Sequence, residues 1–156
     1  MQLTVTSTKE RPDLACVTGT WRWNAFLHRS GKSLAEAIEL DILCADGEAL
    51  MPTVLVLLEE AIPVGMIALC MNDLAERPDL NPWLAGLYVD PPHRGKGYAA
   101  RLIKELEALA RASEIIELYL YTANAERLYL KQGWTTIDNL ESEGQSYSIM
   151  QKRLQD

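Results

Sequence analysis

The sequence predicts an α+β (mixed α/β) fold, with a mostly antiparallel central sheet flanked by helices. Three observations carry that expectation. Strand-like and helix-like segments follow in the order β-α-α-β-β-β-α-β-α-β-β. Several neighbouring strand segments are joined by short turns, which makes them antiparallel hairpins. A single strand–helix–strand crossover, from Trp83–Val89 to Ile115–Tyr121, supplies a parallel pair. A doubly wound sheet would need that unit repeated.

The elements follow in order. QLTVTS at the start alternates polar and apolar residues, the period of a half-buried strand. Arg11–Arg29 reads as a helix with Pro12 in its first turn and Leu14, Val17, Trp21 and Ala25 near one face. Ser33 and Glu36 have capping-box spacing, and Leu34, Ala37, Ile38 and Ile42 form the expected apolar stripe, stopped by Gly47. Thr53–Leu58 and Val64–Met71 make a buried hairpin, and the loop NDLAERPDLNP leads into Trp83–Val89. A long helix covers about Gly97–Ser113, with Tyr98, Leu102, Leu106 and Leu109 on one side. Ile115–Tyr121 is a strand, Ala125–Gln132 a short helix ended by Gly133, and Trp134–Asp138 with Gln145–Lys152 a closing hairpin around ESEG.

The 156 residues, 48% hydrophobic and 24% charged, suit one domain spanning 1–156 that needs no metal or disulfide staple. The longest apolar runs fall well short of the roughly 20 residues a membrane helix requires. The opening MQLTVTSTKERPD lacks the basic flank and apolar core of a secretory leader. Fifteen basic against 22 acidic residues give a net charge of −7, which disfavours nucleic acid or an anionic membrane as partner. Cys16, Cys44 and Cys70 are far apart and odd in number, as reduced thiols of a cytoplasmic protein would be, and no metal-ligand spacing appears.

The densest chemical signal is Val89-Asp-Pro-Pro-His-Arg-Gly-Lys-Gly-Tyr-Ala-Ala100. A strand enters a short loop carrying Arg94, Gly95, Lys96 and Gly97, and the loop opens the long helix. Glycines let backbone N–H groups approach a ligand, and a helix start adds partial positive charge, so this is an anion site suited to pyrophosphate. The Walker spacing GxxxxGK[ST] is absent. GxGxxA is present as Gly95, Gly97 and Ala100, but Asp-Pro-Pro-His-Arg intervenes after the strand and the next strand ends without an acid.

Arg94-Gly-Lys-Gly97-Tyr-Ala99 resembles the R/Q-x-x-G-x-G/A signature of the GNAT acyltransferase superfamily, with alanine in the last place. Leu128-Tyr129-Leu-Lys-Gln-Gly133-Trp134 resembles its LYxxxGF/W segment, one strand and one helix later. The resemblance spans essentially the whole chain. It implies acetyl-coenzyme A as co-substrate and a small-molecule or peptide amine as acceptor, and is compatible with a homodimer. By position, main-chain groups of Leu87, Tyr88 and Val89 would pair with the pantetheine arm. Those of Arg94, Gly95, Lys96, Gly97, Tyr98, Ala99 and Ala100 would hold the pyrophosphate. Asn124 resembles a coenzyme-contacting asparagine, and Tyr129 the general acid whose proton loss would shape the high-pH limb of kcat. The glutamate that some members carry on the fourth strand is replaced here by Trp83, which leaves Asp73, Glu76 and Asp79 as nearest acids for a base.

On the acceptor side the expected wall is Trp21, Trp23, Phe26, His28 and Trp83, with Asp73 as the ionic partner of a cationic amine. His28 and His93 have no matched partners in the sequence. No cysteine stands beside a plausible base, so transfer is expected to be direct. Two other classes remain open on these residues: a non-catalytic coenzyme A sensor, and a nicotinamide-dependent oxidoreductase.

Overall fold

A computed structural model describes residues 2–155. Its elements are β1 (Leu3–Ser7), α1 (Ala15–Arg22), α2 (Leu34–Asp46), β2 (Thr53–Glu59), β3 (Ile62–Cys70), β4 (Trp83–Val89), α3 (Tyr98–Ala112), β5 (Glu117–Thr122), α4 (Glu126–Lys131), β6 (Thr135–Ser142) and β7 (Gln145–Arg153). That is the order expected from the sequence. The seven strands form one sheet in the order β1-β2-β3-β4-β5-β7-β6. Only the β4–β5 pair is parallel. No described helix is long and apolar enough to cross a membrane.

Both faces of the sheet are covered, which explains why β2 is a continuous apolar run rather than an alternating one. Leu55 and Leu57 point to the face of α3, where Leu102, Ile103 and Leu106 complete the main core. Val54, Val56 and Leu58 point to the opposite face, beneath Leu14 and Trp21. The side chains on α3 that the sequence puts on one face are there: Tyr98, Leu102 and Leu106 are buried and Leu109 is half-buried.

The first helix differs from the uniform Arg11–Arg29 helix expected. Pro12–Leu14 is one turn of 3-10 helix, α1 follows, and Trp23–Leu27 widens to π-helix, with the His28 N–H donating to the Trp23 carbonyl at 2.8 Å. The stripe expected on α2 is also corrected. Leu34 and Ile42 are exposed, and the inward residues are Ala37, Asp41 and Ala45. The reason is close helix approach: a Cβ on Gly19 of α1 would lie 2.6 Å from the Ile38 Cα, so small side chains make the contact. Asp41 is drawn inward by Arg22, an ion pair no periodicity reveals.

The capping box at the start of α2 is formed. Ser33 Oγ accepts from the Glu36 N–H at 3.1 Å, and Glu36 Oε1 accepts from the Ser33 N–H at 3.2 Å. Ser33→Ala should therefore cost about 1 kcal/mol. Urea unfolding checks this; a midpoint unchanged from wild type would mean the cap contributes nothing.

Candidate active site

β4 and β5 begin side by side and then part. The Tyr119 N–H donates to the Pro82 carbonyl at 3.1 Å, and Trp83 opposite Tyr119 is the sole register pair. Beyond it the β5-facing edge of β4 has no ladder partner among the described residues. On the other edge, Met66 stands opposite Tyr88 but Ala68 opposite Ala85, so β4 carries one extra residue around Gly86 and Leu87. Such a bulge bends the strand. Gly86 has φ +60°, and a Cβ there would lie 2.5 Å from Arg22 Nη1, so a side chain would displace the guanidinium from this position. The sequence reading passed over this signal, a glycine inside an apolar strand.

The parted strands open a cavity of about 670 Å³ that crosses the sheet. Leu87, Asn124 and Tyr129 line it together with Arg22, Asp73, Tyr121 and Tyr147. Of the three loop acids, Asp73 alone reaches it. Glu76 is exposed, and Asp79 is exposed and paired with Arg77 at 2.9 Å. Burial raises the Asp73 carboxyl above the usual range, against a lowering by Arg22. Burial likewise pushes the Cys70 thiol and the Tyr121 phenol each up to about 12.

Tyr129 is buried on α4, with its ring edge-on to Trp134 at 6.0 Å. Trp134 is itself held, its Nε1–H donating to Glu107 Oε2 at 3.1 Å. The Tyr129 hydroxyl has no hydrogen-bond partner among the described residues, and no buried side-chain N or O there lacks one, so the hydroxyl meets open space. Burial holds its phenol above the ordinary tyrosine range, which keeps the proton on. Its ionisation therefore lies beyond the high-pH limb that the sequence reading assigned to it.

The loop before α3 is open where a ligand would need it. Gly95 and Gly97 both have φ +81°, and a Cβ on either would meet nothing within 4 Å. Gly97 is the N-cap of α3 and brings no side-chain cap, so the first helical N–H groups face outward. The cations do less than expected. Arg94 Nε donates to the Val89 carbonyl at 2.8 Å, and its guanidinium lies 5.5 Å over the Tyr88 ring. Lys96 leans back to within 3.7 Å of Glu59. Glu59 also accepts from the Tyr98 hydroxyl, which lowers its carboxyl ahead of the smaller effects of Lys96 and His93. His93, expected to be unpartnered, stands 3.5 Å from Glu59. Tyr98 thus offers a ligand its main chain, since its ring is buried and its hydroxyl taken. Backbone N–H groups on a helix start, next to an unpaired strand edge, fit an extended ligand ending in phosphates.

Two proposed substrate contacts are not available. Trp83 is fully buried among Leu74, Leu80, Tyr119 and Ile149, its Nε1–H donating to the Leu80 carbonyl at 2.7 Å. Trp21 is buried with Val54, Met66 and Ala68 and packs 5.5 Å from the Tyr88 ring. Their side chains point into the packed layer rather than the gap. Trp23 and His28 are also off the cavity, with Trp23 bonded to the Lys32 carbonyl at 2.8 Å. Of the expected wall Phe26 alone reaches the cavity, and Tyr121, Tyr129 and Tyr147 complete its aromatic lining. The sequence reading missed Arg22, Tyr121 and Tyr147, because nothing local marks residues that three separate elements bring together.

The same architecture recurs in solved proteins. An N-acetyltransferase from Staphylococcus aureus Mu50 superposes with a TM-score of 0.75 at 16% identity, covering 99% of this chain and 100% of that one. The yncA protein of Salmonella typhimurium, solved with its cofactor acetyl-CoA, gives 0.74 at 19% identity over 100% and 96%. An aminoglycoside 6'-N-acetyltransferase complexed with coenzyme A gives 0.73 at 16% identity over 99% and 97%. No curated protein matches the chain. Residues 19–134, which run from α1 through the bulged strand, the glycine loop and Tyr129 to Trp134, match the model of the acetyltransferase (GNAT) family, and the chain belongs to that family.

Proposed function

We propose that this protein, one domain throughout, moves the acetyl group of acetyl-CoA to a primary amine of a small molecule or peptide by direct attack. The observation that carries this is the cavity crossing the parted sheet, with Tyr129 and the free β4 edge meeting Asp73 in one space. Acetyl-CoA supplies the activated acyl group. The edge of β4 from Leu87 to Val89 takes the pantetheine arm as an added strand, and N–H groups from Arg94 to Ala100 take the pyrophosphate, with Asn124 beside them. A main-chain N–H at the bulge donates to the thioester oxygen. Asp73 accepts a proton from the acceptor ammonium, whose nitrogen then bonds the acetyl carbon. The carbon–sulfur bond breaks, the Tyr129 hydroxyl donates its proton to the departing sulfur, and the second proton, which the nitrogen sheds on becoming an amide, restores the tyrosine. Contrary to the expectation from sequence, a cysteine does stand beside the base, because Cys70 interacts with Asp73. Burial first and the Asp73 charge second hold its thiol at about 12, so it carries little thiolate at neutral pH and a cysteine relay is disfavoured. The three free thiols suit a reducing, cytoplasmic setting.

The deciding experiment supplies acetyl-CoA with a panel of amines and peptides and follows free thiol. Acceptor-dependent thiol release is expected. Stabilisation by coenzyme A without turnover of any acceptor would overturn the reading in favour of a sensor module. Tyr129→Phe should lower kcat by roughly 10- to 100-fold with little change in coenzyme affinity, since the ring still packs and only the hydroxyl is gone. Because burial keeps that proton on, wild-type kcat should not fall through Tyr129 ionisation up to about pH 10. An unchanged kcat in Tyr129→Phe would move the acid elsewhere.

A further inference from the structure

Arg22 is the charged cavity residue with no part yet in the reaction, and its mounting is unusual. Its Nε donates to Asp41 Oδ2 at 3.0 Å and its Nη2 approaches Asp41 Oδ1 at 3.4 Å. Asp41 is 2% exposed and also accepts from Thr18 Oγ1 at 3.0 Å, so the carboxylate is a fixed buried support. Two of the three guanidinium nitrogens are thereby held. The third, Nη1, has no hydrogen-bond acceptor among the described residues. No buried side-chain nitrogen there is left unpartnered, so Nη1 is not sealed off, and Arg22 lines the cavity beside Gly86. The glycine at the bulge is what makes that position open to a guanidinium.

The same cavity holds one carboxylate, Asp73, and a wall of two phenol rings, Tyr121 and Tyr147, edge-on at 5.6 Å. A plain cationic amine would satisfy Asp73 but leave the two N–H bonds of Nη1 facing an ammonium ion. An acceptor with both charges satisfies both groups. Planar guanidinium donors match the geometry of a carboxylate, and a carboxylate is small enough to share the cavity with the amine it is attached to.

We propose that the acceptor is an amino acid or a close relative, its carboxylate bound by Arg22 Nη1 and its amino group directed to Asp73. This rests on the acetyltransferase reading and narrows it to a substrate class. Arg22 then acts as the residue that selects for a carboxylate near the reacting amine, and the tyrosine wall takes the side chain.

The test uses the whole protein with acetyl-CoA and follows thiol release from matched acceptors: amino acids, the same compounds as carboxamides, and the corresponding decarboxylated amines. The acids should exceed the partners that lack the carboxylate in kcat/KM by about 10- to 100-fold, as for a charge-assisted hydrogen bond, chiefly through KM. Arg22→Gln removes the guanidinium and its charge but strands Asp41, so Arg22→Gln with Asp41→Asn is made alongside, and coenzyme-induced thermal stabilisation reports that each is folded. In the double variant the acid-to-amide ratio should fall to about 1. Amides or simple amines turned over as fast as acids by wild type would overturn the proposal while leaving acetyl transfer intact. So would a ratio that survives the double variant, or a loss equal for every acceptor, which would put the guanidinium on the thioester. No thiol release from any acceptor would overturn the acetyltransferase reading itself and this proposal with it.

Discussion

Gly97→Val is expected to raise the dissociation constant for acetyl-CoA by about 100-fold or more, equal to roughly 2.8 kcal/mol of binding. Two effects combine. Gly97 sits at φ +81° and ψ +13°, a conformation that a β-branched residue adopts only under strain. The space in front of it is empty in the protein, so the valine methyls would stand where phosphate oxygens approach the helix start. Beyond its own chain neighbours no protein atom lies within 4 Å of that Cβ position, so the fold need not collapse. Titration calorimetry on the folded variant measures the effect, with Gly97→Asn as companion. Asparagine tolerates the left-handed region, so it separates strain from obstruction and should fall between glycine and valine. Wild-type affinity in a folded Gly97→Val protein would remove the phosphate-loop assignment.

Asp73→Asn is expected to lower kcat/KM by about 10²- to 10⁴-fold near neutral pH, the usual worth of a general base. The loss should shrink as pH rises, because an amine that has already shed its proton no longer needs Asp73. A variant with a pH-independent loss would make Asp73 a binding residue and not a base. The same substitution has a stability signature of opposite sign. Burial raises the folded carboxyl above its ordinary value of 3.8, so the folded state binds the proton more tightly than the unfolded chain. The stabilising contribution is then complete below that ordinary value and is lost as pH rises through the raised one. At pH 7 the wild type carries the burden of a buried charge that asparagine avoids. Asp73→Asn should therefore melt higher than wild type at pH 7, and the gap should close below pH 3.8. A wild type that melts higher at pH 7 would show that Asp73 is held by structural partners.

Much of this protein was legible one residue at a time. Element order, the capping box at Ser33, the bounds of Trp83–Val89 and the left-handed Gly133 depend on local backbone chemistry, which neighbours in sequence determine. The glycine loop belongs with them, because a strand end, two glycines and a helix start are contiguous. The assignment of aromatic residues was not legible in the same way. Trp83 and Tyr121 are both aromatic residues on strands, yet one is sealed in the core and the other lines the cavity. That difference comes from where β4 and β5 part, a property of the sheet and not of either segment. Arg22 shows the limit most clearly. Its support, Asp41, lies 19 residues away on another helix, and its opening depends on a bulge at Gly86 in a strand 64 residues on. The sequence by itself determined the coenzyme side, since phosphate recognition uses main-chain groups whose geometry is set locally. The acceptor side was decided by tertiary structure alone, because it is built from single side chains whose common position exists only once the sheet has opened between them.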